Sequence, residues 1–354
     1  MWNILSTDSP GRLSITILSL LSLLICGCSD DGEPRADDKG VIADITVMAP
    51  LSGFGDNGYY DEAFAGIMET SLAKGLEVSV LRPRNISEAE KYASEWADDE
   101  SPDRRLLVLA DSEYESLCQD MKPDDIHSVL LFESKGRNLP ANVSSFRFAR
   151  YGASYLSGCM AKESLGVHIV CPYEGSAENR DAIDGFQDGY RSINPVGDIT
   201  VHYLADDCRG RSMPDSLYRL ASRYPDDFFF PLARGSNSGL FKFSRESPFV
   251  LMLIAGMDVD CSLMSKRVPF SVVVNIREIL SCYISRWADG EDITGHRTFG
   301  MDDGSVSIML SDMFYIVNDI WEEYYVNPFY WSDIYSQYFQ EALKAEKEYE
   351  ETGH

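Results

Sequence analysis

From residue 44 onward, short apolar runs alternate with segments of helical periodicity, and this alternation restricts the possible folds more than any other feature. The first round places strands at 44–49, 76–81, 106–110 and 129–132, followed by a stretch rich in Phe and Ser at 143–149. Helices lie between them, as at 60–73, and a capping-box pattern of Ser87 with Glu90 opens the helix through Trp96. After the stretch 151–161, a second round places strands at 167–172, 199–204 and 228–232, helices near 177–190 and 215–224, and an apolar run at 249–254. Residues 269–275 then lead into a helix ending near Trp287. A hairpin-like pair, 297–301 and 306–310, flanks the turn Asp302-Asp303-Gly304, and an amphipathic, tyrosine-rich helix closes the chain at 331–350. Repeated βα units in two rounds predict an α/β protein of two doubly wound lobes rather than one barrel. No low-complexity linker separates the rounds, so 147–152 reads as a hinge of crossing strands. Lobe 1 is expected over 44–147 with about 262–300, lobe 2 over 148–261 with about 301–354, and a ligand cleft between them.

The first βα junction carries the most information. In VMAPLSGFGDNGYYDEAFAG, residues 47–66, an apolar strand ends in a turn with Gly53, Gly55 and Gly58, after which Ala63, Phe64, Ile67 and Met68 recur at helical spacing. Such a junction sets helix N-terminal amides at the carboxyl edge of a sheet, where α/β folds bind ligands. The side chains offered there, Asp56, Asn57, Tyr59 and Tyr60, are polar or aromatic but not nucleophilic. This is a binding loop. Asp111, just past the third strand, and Asp258, past the run at 249–254, hold equivalent positions, and the small residues Gly235 and Ser236 let a ligand approach the backbone closely.

Other motifs are incomplete. Gly53-Phe54-Gly55-Asp56-Asn57-Gly58 matches the dinucleotide fingerprint, but the second strand closes on Leu81-Arg82-Pro83 instead of an acidic residue. Gly235-Ser236-Asn237-Ser238-Gly239 puts Asn237 where a nucleophile elbow needs serine, and reads as a turn with serine capping a helix. Asp258 and Asp260 have no histidine or activated nucleophile beside them in a recognisable pattern. No triad, metal set or phosphate loop is legible, so neither enzyme activity nor a cofactor or metal is expected. A net charge of −26 without a basic stripe argues against nucleic acid as a partner.

The amino terminus reads as an address. Arg12 precedes the apolar run 13–25, too short for a stable membrane span, which ends in Leu24-Ile25-Cys26-Gly27-Cys28. That ending resembles the bacterial lipobox. It implies a signal peptide over 1–27, acylation of Cys28 as the first mature residue, and membrane attachment in the bacterial cell envelope, on the periplasmic face or the cell surface. Residues 28–43 read as an acidic, solvated tether, which also resembles a surface-export tag. Beyond Cys28 the cysteines at 118, 159, 171, 208, 261 and 282 form no Cys-x-x-Cys pair, and several sit in apolar contexts that suit buried thiols.

Across 44–310 the chain resembles the basic membrane protein family of purine nucleoside receptor-type substrate-binding lipoproteins. The matching stretches are Gly55 to Ala63 with Gly66, Asn142-Val143 through Ser154 to Gly158, Asp184-Gly185-Phe186 with Gly189 and Asn194-Pro195, Ala233 to Phe241, and Gly256-Met257-Asp258-Val259-Asp260. The resemblance implies a type I periplasmic-binding-protein fold that closes on a nucleoside and hands it to an ABC permease. Carried over by position, Asp56 contacts the ligand, Tyr59 replaces a stacking phenylalanine, Gly235 approaches by its backbone and Asp258 accepts ribose hydroxyls. Three departures stand out. Tyr60 replaces an asparagine, Ser271-Val272-Val273-Val274 lacks the ligand lysine, and the second stacking aromatic is absent near Arg180 unless Tyr173 substitutes. The same residues leave open a repurposed surface lipoprotein that binds a protein, a glycan or another solute.

Overall fold

The structure, a computed structural model, describes residues 43–99, 103–119, 121, 127–137, 139–164, 166–174, 177–204, 212–312, 314 and 329–352. The expected signal over 1–27, the expected acylation site Cys28, the expected tether up to residue 42 and Cys208 lie outside these residues. The first round runs β1 (Ala43–Met48), α1 (Tyr59–Lys74), β2 (Glu77–Leu81), α2 (Ile86–Ala97), β3 (Arg104–Leu109), α3 (Glu115–Cys118), β4 (His127–Phe132) and β5 (Val143–Phe148). Beyond α4 (Tyr151–Met160), the second runs β6 (Gly166–Cys171), α5 (Ala177–Ile193), β7 (Asp198–Tyr203), α6 (Pro214–Arg223), β8 (Phe228–Pro231), α7 (Ser238–Glu246) and β9 (Leu253–Ile254). The last stretch holds β10 (Gly256–Asp258), β11 (Phe270–Val274), α8 (Ile276–Ala288), β12 (Gly295–Phe299), β13 (Val306–Leu310) and α9 (Tyr330–Thr352).

The two rounds build two parallel sheets, ordered β12-β5-β4-β3-β1-β2 and β7-β6-β8-β9. Interior strands such as β3 and β8 are near-continuous apolar runs because both faces are covered, whereas the edge strands β2, β7 and β12 are partly exposed. In β3, Leu106 and Val108 join the core that includes Ile67 of α1 and Ile284 of α8. Leu107 and Leu109 join the one that includes Ala89 and Trp96 of α2. The second sheet divides in the same way, with Phe228 and Phe230 on one face and Phe229 on the other. This is the expected architecture of two doubly wound α/β lobes.

Helices α4 and α5 pack backbone to backbone through glycine. A Cβ added at Gly189 would lie 1.9 Å from the Tyr155 carbonyl oxygen, and one at Gly185 2.2 Å from that of Tyr151. Neither carbonyl can retreat without breaking its own helix. Gly189→Ala is therefore expected to destabilise the fold by about 1–3 kcal/mol, seen as a lower urea midpoint. An unchanged midpoint would show that the helices can slide apart at no cost.

Two local expectations are corrected. The cap of α2 is Asn85, whose side chain accepts the Glu88 N–H at 2.9 Å, while Glu88 accepts the Arg84 N–H at 2.7 Å. Ser87 is already helical and so cannot cap; the capping residue needs the extended backbone that Asn85 adopts. The pair around Asp302-Asp303-Gly304 is not a hairpin. Strand β12 pairs in parallel with β5 on the edge of the first sheet, whereas β13 pairs antiparallel with β11 in a small sheet β10-β11-β13. The turn forms, with Gly304 N–H donating to the Met301 carbonyl, but the strands diverge from it. Alternation around a turn reads the same whether its strands pair with each other or with different sheets.

The closing helix α9 packs on α4 and bonds across the junction it covers. Glu346 accepts the Gly152 N–H at 3.0 Å and the Met301 N–H at 2.8 Å. Tyr349 stacks on Tyr151 with ring centroids 4.1 Å apart, and Arg147 pairs with Asp181 at 3.0 Å and with Glu350. Of the cysteines, Cys118, Cys159, Cys171 and Cys261 are buried free thiols that burial pushes up to about 12, and Cys282 is free and exposed.

Candidate functional site

Among the described residues, the non-glycine residues with left-handed backbone are Asn57 (φ 52°), Glu133 (φ 53°), Arg234 (φ 47°) and Asp258 (φ 66°). Glu133, Arg234 and Asp258 stand at or just beyond the carboxyl ends of β4, β8 and β10, and Asn57 stands at the end of the loop that joins β1 to α1. Such conformations cost about 1–3 kcal/mol apiece and persist only where the surroundings over-determine them. Asn57, Arg234 and Asp258 line one cleft, at the edge where open α/β sheets bind ligands, and Glu133 is tied to it through Arg150, which bonds Asp258.

A buried ion network forms its floor. Arg150, between β5 and α4, donates to Glu133 at 2.8 Å and to Asp258 at 3.4 Å. Glu133 also accepts the Phe148 N–H at 3.2 Å. Burial pushes the Glu133 carboxyl up, but the charge and hydrogen bond of Arg150, with the charge of Arg234, outweigh it and hold the group below the usual carboxylate range. Burial disfavours the charged Arg150, yet Glu133 and then Asp258 more than restore it. Tyr59 is fully buried against Phe148 and Arg150. Its hydroxyl lies near Glu133 without a hydrogen bond of proper geometry, and burial first, then the Glu133 charge, raise it well above the ordinary phenol range.

The loop after β1 is closed by its own acids. Asp56 accepts the N–H groups of Gly58 (2.9 Å), Tyr60 (3.1 Å) and Asp61 (3.2 Å), and Asp61 accepts those of Gly55 and Asn57, both at 2.7 Å. The backbone donors expected to meet a ligand are thus taken by the chain's own carboxylates, because the helix dipole attracts the nearest anion.

The cleft holds two chambers that meet at Asp56 and Arg234. One, of about 260 Å³, is lined by residues including Tyr59, Asn237, Phe241, Met257 and Asp258. The other, of about 200 Å³, is lined by residues including Tyr60, Asp111, Tyr173, Gly235 and Ser236. All seven expected site residues therefore reach the cleft, divided between its chambers, with differing side-chain commitments. Tyr60 is buried and its hydroxyl donates to Asp111, which also accepts the Glu113 N–H at 3.0 Å. Ser236 accepts the Met213 N–H at 2.9 Å. Asp260 does not join Asp258; it is exposed and accepts from Ser262 at 2.9 Å. Ser238 opens α7 without capping it, its hydroxyl donating to the Gly235 carbonyl at 2.8 Å, and Ser271 accepts the Cys261 N–H at 3.0 Å. Tyr173 lines the smaller chamber and donates to Glu113 at 3.3 Å.

Sequence reasoning missed Glu133, Arg150 and Arg234. The available signal was position: each charged residue follows an apolar strand within three residues, where a solvated face is not the default.

A family model for PnrA-like ABC transporter substrate-binding proteins, Bmp, matches residues 44–322. The chain belongs to this family. No curated protein matches it. Solved structures similar to it include a solute-binding protein of an ABC transporter system from Aeropyrum pernix K1, at 16% identity and TM-score 0.66, covering 87% of this chain and 90% of that one. A transcriptional activator of the comK gene from Bacillus halodurans shares 18% identity at TM-score 0.57, covering 84% and 98%. A periplasmic binding protein/LacI transcriptional regulator from Alkaliphilus metalliredigens, complexed with D-xylulofuranose, shares 13% at TM-score 0.56, covering 75% and 97%. At these identities the likeness is one of fold, the type I periplasmic-binding-protein fold with its cleft between lobes. Among the described residues, no helix is long and apolar enough to cross a membrane.

Proposed function

We propose that this Bmp-family protein is the solute receptor of an ABC uptake system, anchored in the bacterial envelope by lipid on Cys28, and that it closes on a nucleoside or related small solute without transforming it. The lobes that close are the one built on the sheet β12-β5-β4-β3-β1-β2 and the one built on β7-β6-β8-β9. The observation that carries this reading is the convergence of three strained residues, two tyrosines and a buried ion network on one interlobe cleft. Strain concentrated there is spent on geometry that the fold does not need elsewhere. Solute binds one lobe, and closure follows because the closed state adds contacts from the other. Asp258 is the acceptor for hydroxyl groups, Tyr59 and Tyr60 the aromatic shelf, and Gly235 the close backbone approach. Asp56, Asp111 and Ser236 shape the walls.

A thermal-shift screen of the protein against nucleosides, bases and sugars tests the reading, since a ligand that binds only the folded state raises the melting temperature. With the hit in hand, Asp258→Ala and Tyr59→Leu (leucine keeps much of the ring's volume) are each expected to weaken binding by about tenfold or more, roughly the value of one charged hydrogen bond or one stacked ring. Wild-type affinity in both would remove these residues from the site. A second reading, a surface lipoprotein of the same fold serving another ligand, is favoured by the self-satisfied loop amides. Silence across the panel would select it.

A further inference from the structure

Arg234 occupies the aromatic shelf. Its guanidinium carbon lies 4.7 Å from the ring centroid of Tyr59 and 4.3 Å from that of Tyr60, reaching from the loop after β8 of the second sheet to the start of α1 beside the first. Its neighbour Gly235 closes the same gap: a Cβ built there would stand 3.5 Å from the Asp56 Cα. The left-handed backbone at Arg234, which glycine would adopt without strain, is tolerated in favour of a side chain that spans the cleft. Asp56 and Asp111 line the smaller chamber beside it, and Glu133 feels its charge.

We propose that Arg234 is the gate and specificity-determining residue of the cleft: its cation fills the corner between the Tyr59 and Tyr60 rings, and a planar, N–H-bearing heterocycle must displace it to bind. This rests on the receptor reading above. Tyr59 and Tyr60 meet edge to face at 79°, so they form a corner in which one flat group lies against one ring with its edge toward the other; a guanidinium and a heteroaromatic ring can fill that corner in the same way. The carboxylates around it favour rings that bring N–H donors over rings that bring only acceptors. Because the gate stabilises closure by itself, solute binds only the fraction of molecules in which it has swung away, and the apparent affinity falls by that fraction.

The test separates gate from receptor. Spin labels at Leu72→Cys on α1 and Val196→Cys after α5, with Cys208 and Cys282 replaced by serine, report the interlobe distance in the full chain without any solute. Arg234→Gly is expected to lengthen and broaden that distance, and methylguanidinium is expected to restore it by refilling the shelf. The same variant is expected to bind the heterocycle found by thermal shift roughly tenfold more tightly than the wild type. An unchanged distance in Arg234→Gly overturns the gate, and so does weaker binding, which would make Arg234 a direct solute contact. Opening with methylguanidinium rescue, but no heterocycle bound by either form, keeps the gate and removes the nucleoside-type receptor.

Discussion

Replacing Arg150 with methionine is expected to cost the folded protein about 3–5 kcal/mol, because it leaves Glu133 and Asp258 as buried carboxylates without their cation. Methionine keeps much of the volume, so the loss measures charge rather than a cavity. The effect has a pH signature. Glu133 is held below its usual range in the wild type, so its contribution is present above the unfolded value and is lost as pH falls through the folded one. Without Arg150, burial dominates and the Glu133 carboxyl rises. The variant's deficit should then shrink as pH falls, first as the variant's buried acid takes up a proton and then, below the ordinary carboxylate range, as the wild type loses its ion pair as well. Urea midpoints at neutral and acid pH measure this directly. A variant within about 1 kcal/mol of wild type at neutral pH would mean that the carboxylates are hydrated and the network is not a floor.

Glu346→Ala removes the carboxylate that holds Gly152 and Met301 under the closing helix, and is expected to cost about 2–5 kcal/mol by orphaning two buried amides. Here the pH dependence has the opposite sign. Burial pushes the Glu346 carboxyl up to about 7, against the pull of the Met301 and Gly152 amides, from an unfolded value of 4.5. The folded state therefore binds the proton more tightly than the unfolded one. Stability from this group falls as pH rises from 4.5 to about 7, by at most about 3 kcal/mol, and is level beyond. Glu346→Gln cannot ionise and retains one acceptor, so its melting temperature should lose that slope while remaining above that of the alanine variant. Superimposable pH profiles for wild type and glutamine variant would show that the carboxylate titrates in water.

Periodicity made the layers legible. The runs Leu106 to Leu109 and Phe228 to Phe230 are apolar without alternation because both faces of their sheets are covered, a property of local composition that needs no tertiary information. The strand–loop–helix at residues 47–66 was equally legible, and with it Tyr59, Tyr60 and Asp56 as residues at a binding edge. What the loop amides do was not legible. Asp61, in the first turn of α1, folds back to take two of them, and nothing in the order of residues says whether a ligand or a neighbour accepts.

By itself the sequence determined the α/β class, the two rounds of winding, the family and the sheet edge at which a site must lie, because each depends on spacing within a few residues of a strand. Only the tertiary structure decided which partners that edge has. Glu133, Arg150 and Arg234 come from separate parts of the chain, and their pairing depends on where β4, β5 and β8 end in space. Strands β12 and β13 share one local pattern, yet they join different sheets because β5 and β11 offered edges in different places. Arg234 shows the limit best: as a letter it is one more surface cation in a loop of small residues, and its place on two tyrosine faces exists only once the lobes meet.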